Sequence, residues 1–333
     1  MAEIKIAIDL GTTKTNIYML GSGIVLSEPS VVAYQKDNRQ VKAVGLDAKK
    51  LIDKTTDNTA ICMPIFEGIV SDEEFAEEML YSFLKKIECV GAFKRVHALF
   101  AIPLGLEDEE VLKIERVARR AGIKKIDFVL SPVCSALSID RPLNDFSPCF
   151  MVDMGGGVTN IAAVLLDGVI QGIGYCIGGG NIDSSIMNYV QEKHGLLIGR
   201  NTAENIKIKI GSLYRKDTSK ILVRGRSVDK GIPSSLELTA VEIFDILKVY
   251  YDNIIKVIEN VLSKLPPEVS ADIFSNGIYL CGGSSQIAGL CEYFEENLSL
   301  RANVLSDSTF SVVMGAGIIL GNNELLQRLK MNY

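Results

Sequence analysis

The stretch Asp9-Leu10-Gly11-Thr12-Thr13-Lys14-Thr15-Asn16-Ile17 returns, 144 positions later, as Asp153-Met154-Gly155-Gly156-Gly157-Val158-Thr159-Asn160-Ile161. The aspartate, the glycine two residues on and the Thr-Asn-Ile triplet match without a gap. An apolar run precedes each copy, IKIAIDLG at 4–11 and CFMVDMGGG at 149–157, and NIYML or NIAAVLL follows. These runs read as strands on either side of a tight glycine turn. A duplicated strand-turn-strand unit predicts two related lobes facing each other across a cleft.

The residue types in the turns say what the cleft holds. Gly-Thr-Thr and Gly-Gly-Gly carry no large side chains, so successive backbone N–H groups can converge on an anion. Thr12 and Thr13 add hydroxyl donors. Asp9 and Asp153, which end the preceding strands, only accept hydrogen bonds. Their natural partner is a hydrated Mg²⁺ beside the phosphates of a nucleotide. A third cluster, Cys281-Gly282-Gly283-Ser284-Ser285, follows the strand GIYL. A glycine turn there lets backbone approach the adenosine end of such a ligand, or serves as a simple connection.

Outward from the repeat, strand and helix periods alternate. GIVLSEPSVVAY continues the first meander. Ser71 with Glu74 reads as a capping box opening a helix whose face is Phe75, Met79, Leu80, Phe83, Leu84 and Ile87. VHALFAIP, a charged helix over 107–121 and IDFVLSP follow. The second half adds GVIQGIGYCI, a long helix over 239–263 and a closing helix from 311. Strands in meander and then alternating with helices predict an α/β chain with mixed sheets.

Composition bounds the rest. A chain of 333 residues exceeds one ordinary core, which agrees with two lobes. The formal charge of −6 argues against a general nucleic-acid binder. Seven cysteines without a C-x-x-C pair suit a reducing cytosol better than a disulfide framework or a zinc site. Two histidines, His97 and His194, leave little for a histidine-based triad. The start, MAEIKIAIDLG, lacks signal-peptide character, and no apolar run reaches a membrane span. The expectation is a cytoplasmic protein.

Taken together, the two hairpins and the glycine turn resemble the actin, sugar-kinase and heat-shock-chaperone ATPase superfamily. Within it the chain is similar to the MreB/Mbl-type bacterial actin-like proteins, nearly end to end. The likeness rests on DLGTTKT, GIVLSEPSVVAY, VGLDAK, FEGIVSDEE, SPVCSALSI, VDMGGGVTNIAAV, TAENIKIKIG, PPEVSADIFSNGIYLCGGSSQIAGL and VVMGAGIIL. The resemblance implies two duplicated ribonuclease-H-like lobes with nucleotide between them. The first would comprise 1–142, with a small insert at about 30–70 and the closing helix of 311–333 packing back; the second would comprise 143–310, with an insert at about 180–245. It also implies ATP or GTP with Mg²⁺ as cofactors. Gly11, Thr12, Thr13, Lys14, Gly155, Gly156, Gly157 and Val158 would surround phosphate, and Gly282, Gly283, Ser284 and Ser285 the adenosine. Glu204 and Lys207 would contact the adenosine too, unless they merely form an i, i+3 surface ion pair.

Three positions depart from the family pattern. Ser131 stands where a glutamate precedes the helix-opening proline, and Val158 stands where a threonine follows the triple glycine. Those family residues position the attacking water, and losing such help costs about 10²–10⁴ in rate. Lys14 replaces an asparagine and either meets phosphate as a point charge or faces solvent. The chain is therefore at most a weak ATPase. The resemblance implies homopolymer filaments at the inner face of the cell membrane, and the departures leave open mixed filaments with a competent paralogue. In the loop 89–95, Val90 and Phe93 beside Lys94 and Arg95 would dip into the bilayer, or else pack on their own subdomain. The alternatives from the same superfamily are a sugar or acid kinase and a monomeric nucleotide-dependent binding module.

Overall fold

The computed structural model describes residues 3–91, 94–140, 147–165 and 167–331. Two five-stranded sheets dominate it. In the first, β1 (Glu3–Leu10), β2 (Lys14–Met19) and β3 (Gly23–Pro29) form an antiparallel meander. Strands β4 (Arg95–Ile102) and β5 (Lys125–Leu130) add in parallel beyond β1, giving the order β5-β4-β1-β2-β3. The second sheet repeats this plan. Its meander is β6 (Cys149–Met154), β7 (Thr159–Leu165) and β8 (Gly168–Tyr175); β9 (Ile278–Cys281) and β10 (Ala302–Val304) add in parallel beyond β6. The central strands are buried on both faces, as layers of helix on either side require.

The repeat seen in the sequence holds at the level of register. Asp9 lies opposite Asn16 and Leu10 opposite Thr15; Asp153 lies opposite Asn160 and Met154 opposite Thr159. The turns close with the same bond, Gly11 N–H to the Lys14 carbonyl at 3.1 Å and Gly155 N–H to the Val158 carbonyl at 2.9 Å.

Each sheet carries an insertion that overhangs the cleft. On the first, strands Val32–Gln35, Val41–Val44 and Thr59–Cys62 and the short helix Leu46–Lys49 enclose a small core of Val31, Ala33, Ala48 and Ile52. On the second, the hairpin Lys220–Ser227 and Pro233–Thr239 stands beside helices Gly179–His194 and Arg200–Ile210.

Two helices tie the sheets together. Helix Ser131–Leu137 leaves β5 of the first sheet yet packs on β6 and β7 of the second. Helix Ser311–Gly321 follows β10 of the second sheet yet packs on β1, β2 and β4 of the first. They cross where Gly315 lies against the Cys134 carbonyl, so close that a Cβ has no room. A shared core containing Ala7, Leu99, Met151, Ala162, Val312 and Ile319 fills the space around this crossing.

Two local expectations are corrected. The helix expected to open at Ser71 spans Glu73–Lys86 and is capped by Asp72, whose carboxylate accepts from Phe75 N–H at 3.1 Å. Ser71 instead donates to the Met63 carbonyl, and Glu74, expected to complete a capping box, is held by Arg39. A carboxylate one residue later both caps the helix and complements its dipole. The closing helix is two pieces, Ser311–Gly321 and Asn323–Leu329, with the Asn322 side chain capping the second.

Candidate functional site

The ends of β1 and β6 point into one cavity of about 310 Å³ between the sheets. Both glycine turns line it from opposite sides. Thr12 and Thr13 of the first turn press on Gly157 and Gly156 of the second, where a Cβ on either glycine would collide with a threonine side chain. Threonine in one copy and glycine in the other are thus complementary, which explains why the repeat diverges at these positions. Thr12 Oγ1 also accepts from Gly68 N–H at 3.1 Å, leaving its proton free to donate.

Gly282 closes the third side. Its φ of 83° is a left-handed conformation, and a Cβ there would run into the Met154 carbonyl and Asp153 Oδ1, so the position requires glycine. Gly283 and Ser284 line the cavity with it. Ser285 does not: it is buried, and its hydroxyl donates to the Gly282 carbonyl at 2.8 Å, so it shapes the turn rather than touching a ligand.

Asp9 and Asp153 sit at the floor, each accepting from the asparagine opposite, Asn16 Nδ2 at 3.2 Å and Asn160 Nδ2 at 3.4 Å. Burial and the negative charge of Asp153 raise Asp9 to about 7; burial raises Asp153 to about 6, against hydrogen bonds from Asn160 and Cys281. Two buried carboxylates facing one cavity are relieved by a cation placed between them. Asn16 Oδ1 is in addition a buried acceptor without a partner among the described residues. The donor set therefore fits a hydrated Mg²⁺. Among the described residues no cluster of three or more His, Cys, Asp and Glu side chains exists, so such an ion would take most of its shell from water and phosphate.

Ser131 and Val158 both line the cavity. Ser131 is buried in the first turn of its helix, and Val158 packs towards Gly68. A hydroxyl and an isopropyl group are what the two positions offer a bound phosphate. Lys14 also lines the cavity while its residue remains exposed, which leaves both of its expected roles open.

Glu204 and Lys207 line the far end, yet they are not partners. Lys207 Nζ bonds Asp183 at 2.7 Å and the Gly179 carbonyl at 2.9 Å, and Glu204 reaches Lys49 of the opposite insertion at 2.5 Å. The expected surface pair is replaced by two longer-range ones. Asp183, buried and raised by that burial against the pull of Lys207, went unread in the sequence, where nothing in GGGNID marks it. Asn16 and Asn160 were visible as matches but had no assigned task. Of the loop expected to meet a membrane, Val90 is half-buried against the first sheet's core, and Phe93 lies outside the described residues.

Residues 3–328 match the family model described as MreB/Mbl protein. The cell shape-determining protein Mbl of Bacillus subtilis is 32% identical, covering 98% of each chain. The cell shape-determining protein MreB of Escherichia coli is 35% identical, over 94% of this chain and 92% of its own. Among solved structures, MreB5 of Spiroplasma citri bound to ADP superposes with a TM-score of 0.90 at 27% identity, covering 96% of both chains. The same protein bound to AMPPNP gives 0.92 at 26% identity, over 98% of both. A MamK double helical filament, at 23% identity, covers 96% of this chain and 99% of its own with a TM-score of 0.82, a likeness of fold alone. The fold is actin-like, and the chain belongs to the MreB/Mbl family.

Proposed function

We propose that this chain binds an adenine nucleotide with Mg²⁺ in the cleft between its lobes, 1–142 and 143–310, and polymerises head to tail into cytoskeletal filaments that organise cell shape. The observation that carries the reading is the pair of hairpins with matching register and matching turn bonds, facing one cavity with an aspartate at each floor position. The ADP and AMPPNP complexes of a relative support the choice of adenine over guanine. A head-to-tail contact between unlike faces does not close on itself and so generates filaments.

Hydrolysis in this filament is slow or absent. Ser131 brings no carboxylate and Val158 no hydroxyl to the cavity to orient water as glutamate and threonine would. Asp9, Asp153 and the backbone turns hold metal and phosphate, and binding survives. The filament lies at the inner membrane face through the loop 89–95 and is open to a hydrolysing paralogue as co-polymer. Each apolar side chain entering the bilayer contributes about 1.5–3 kcal/mol at most, so anchoring depends on many protomers acting together.

Pelleting of the purified protein with and without Mg-ATP, combined with phosphate release, tests the reading. Nucleotide-dependent sedimentation with phosphate release far below that of a relative carrying glutamate and threonine is expected. Sedimentation indifferent to nucleotide, or ordinary turnover, would overturn it.

A further inference from the structure

The roof of the cleft is bridged by a set of contacts that the repeat does not explain. Lys49 Nζ meets Glu204 Oε2 at 2.5 Å, with the two side chains 31% and 23% exposed. One turn earlier on the same helix, Asn201 Nδ2 donates to the Lys49 carbonyl at 3.3 Å, and Arg200 Nη1 lies 2.9 Å from Met63 Sδ. Asp53 adds a fourth contact, its carboxylate standing against Gly199, where a Cβ would collide with it. All four run from the first lobe's insertion, residues 49–63, to the cap and first two turns of helix Arg200–Ile210 on the second.

The sequence of that helix makes it depend on the bridge. Its cap residue is Gly199, which has no side chain to satisfy the first N–H groups, and its first turn contains no acidic residue. The Asp53 carboxylate supplies the missing negative charge from the opposite lobe. Asp53 itself has φ 62°, a conformation that an L residue keeps where its surroundings hold it. The same helix carries Lys207 one turn deeper, fixed to Asp183 and Gly179 on the cavity wall. One rigid helix therefore joins the bridge to the site.

Resting on the nucleotide-cleft reading, we infer that Lys49, Asp53, Asn201 and Glu204 form a latch that keeps the roof shut and sets the rate of nucleotide exchange. A ligand in the cavity leaves only when the insertions part, and parting breaks the Lys49–Glu204 pair and withdraws the Asp53 carboxylate from the start of the helix. Lys49 and Asp53 do not line the cavity, so changing them removes no ligand contact of their own.

The experiment is displacement of a methylanthraniloyl-labelled ATP, with Mg²⁺ present, by excess unlabelled ATP in a stopped-flow fluorimeter. Lys49→Glu places two carboxylates face to face and should speed release about five- to tenfold; Lys49→Gln, which only removes the attraction, should give a smaller increase. Raising salt should speed release from the unaltered protein more than from Lys49→Gln. Release rates unchanged in both variants would overturn the latch while leaving the nucleotide site standing. Failure of the unaltered protein to bind the labelled ATP would overturn that site and the latch with it.

Discussion

Replacing Asp9 with asparagine should stabilise the nucleotide-free protein at alkaline pH while removing its response to Mg²⁺. Asp9 is raised from its ordinary 3.8 to about 7 by burial and by Asp153. Between those values the folded chain holds a proton that the unfolded chain has released, so stability falls as pH rises through the window. The full stability is present below about pH 4 and is lost by the time pH passes about 7. A displacement of this size corresponds to roughly 4 kcal/mol. About 3 kcal/mol of this falls between pH 5 and pH 8, and at about 2 °C per kcal/mol for a chain of this length melting would fall by about 5 °C over that range. Titrating groups far from Asp9 cancel in the difference between the unaltered protein and Asp9→Asn, while the relief of Asp153 from its charged neighbour adds to the variant's gain at pH 8. The assay is thermal unfolding in EDTA at pH 5, 6, 7 and 8. The variant should melt higher than the parent at pH 8, with the gap closing towards pH 5. Adding Mg-ATP should raise the parent's melting point at pH 8 and leave the variant's unchanged. A gap that is absent at pH 8, or that widens towards pH 5, would refute the account of an uncompensated carboxylate pair.

Further consequences can be checked separately. Ser131→Glu combined with Val158→Thr should raise phosphate release about 10²-fold or more, measured on polymerised protein; no increase would mean that the two positions are not what limits turnover. Gly315→Ala should destabilise the chain by about 3 kcal/mol, because its Cβ meets the Cys134 carbonyl where the two tying helices cross; urea unfolding measures it, and a cost below 1 kcal/mol would contradict the packing. Asp72→Ala should cost about 1 kcal/mol by uncapping its helix, whereas Ser71→Ala should cost less, reversing the order that the sequence suggests.

Much of the site was legible because it is local. The hairpins read correctly since strand, turn and floor aspartate lie within a few residues, and a β register carries such a pattern intact into three dimensions. Val158 shares that locality, whereas Ser131, outside both hairpins, is placed at the cavity in the sequence only through the family resemblance. Features made by distant chain segments stayed hidden. Glu204 and Lys207 stand i, i+3 and invite pairing, yet their partners are Lys49 and Asp183, residues that only the tertiary fold brings near. Ser285 looked like its neighbour Ser284, and only the turn's geometry separates a ligand-facing hydroxyl from one spent on the Gly282 carbonyl. The cap fell on Asp72 rather than Ser71 because the Ser71 hydroxyl is turned to the Met63 carbonyl while the Asp72 carboxylate meets the Phe75 N–H.

The central claim is that this actin-like cleft holds a nucleotide it scarcely hydrolyses. Recovering the nucleotide from pelleted filaments assembled with radiolabelled Mg-ATP, and resolving it by chromatography, tests both halves at once. The account predicts close to one nucleotide per protomer, recovered chiefly as triphosphate. Filaments carrying chiefly ADP, or carrying no nucleotide, would contradict it.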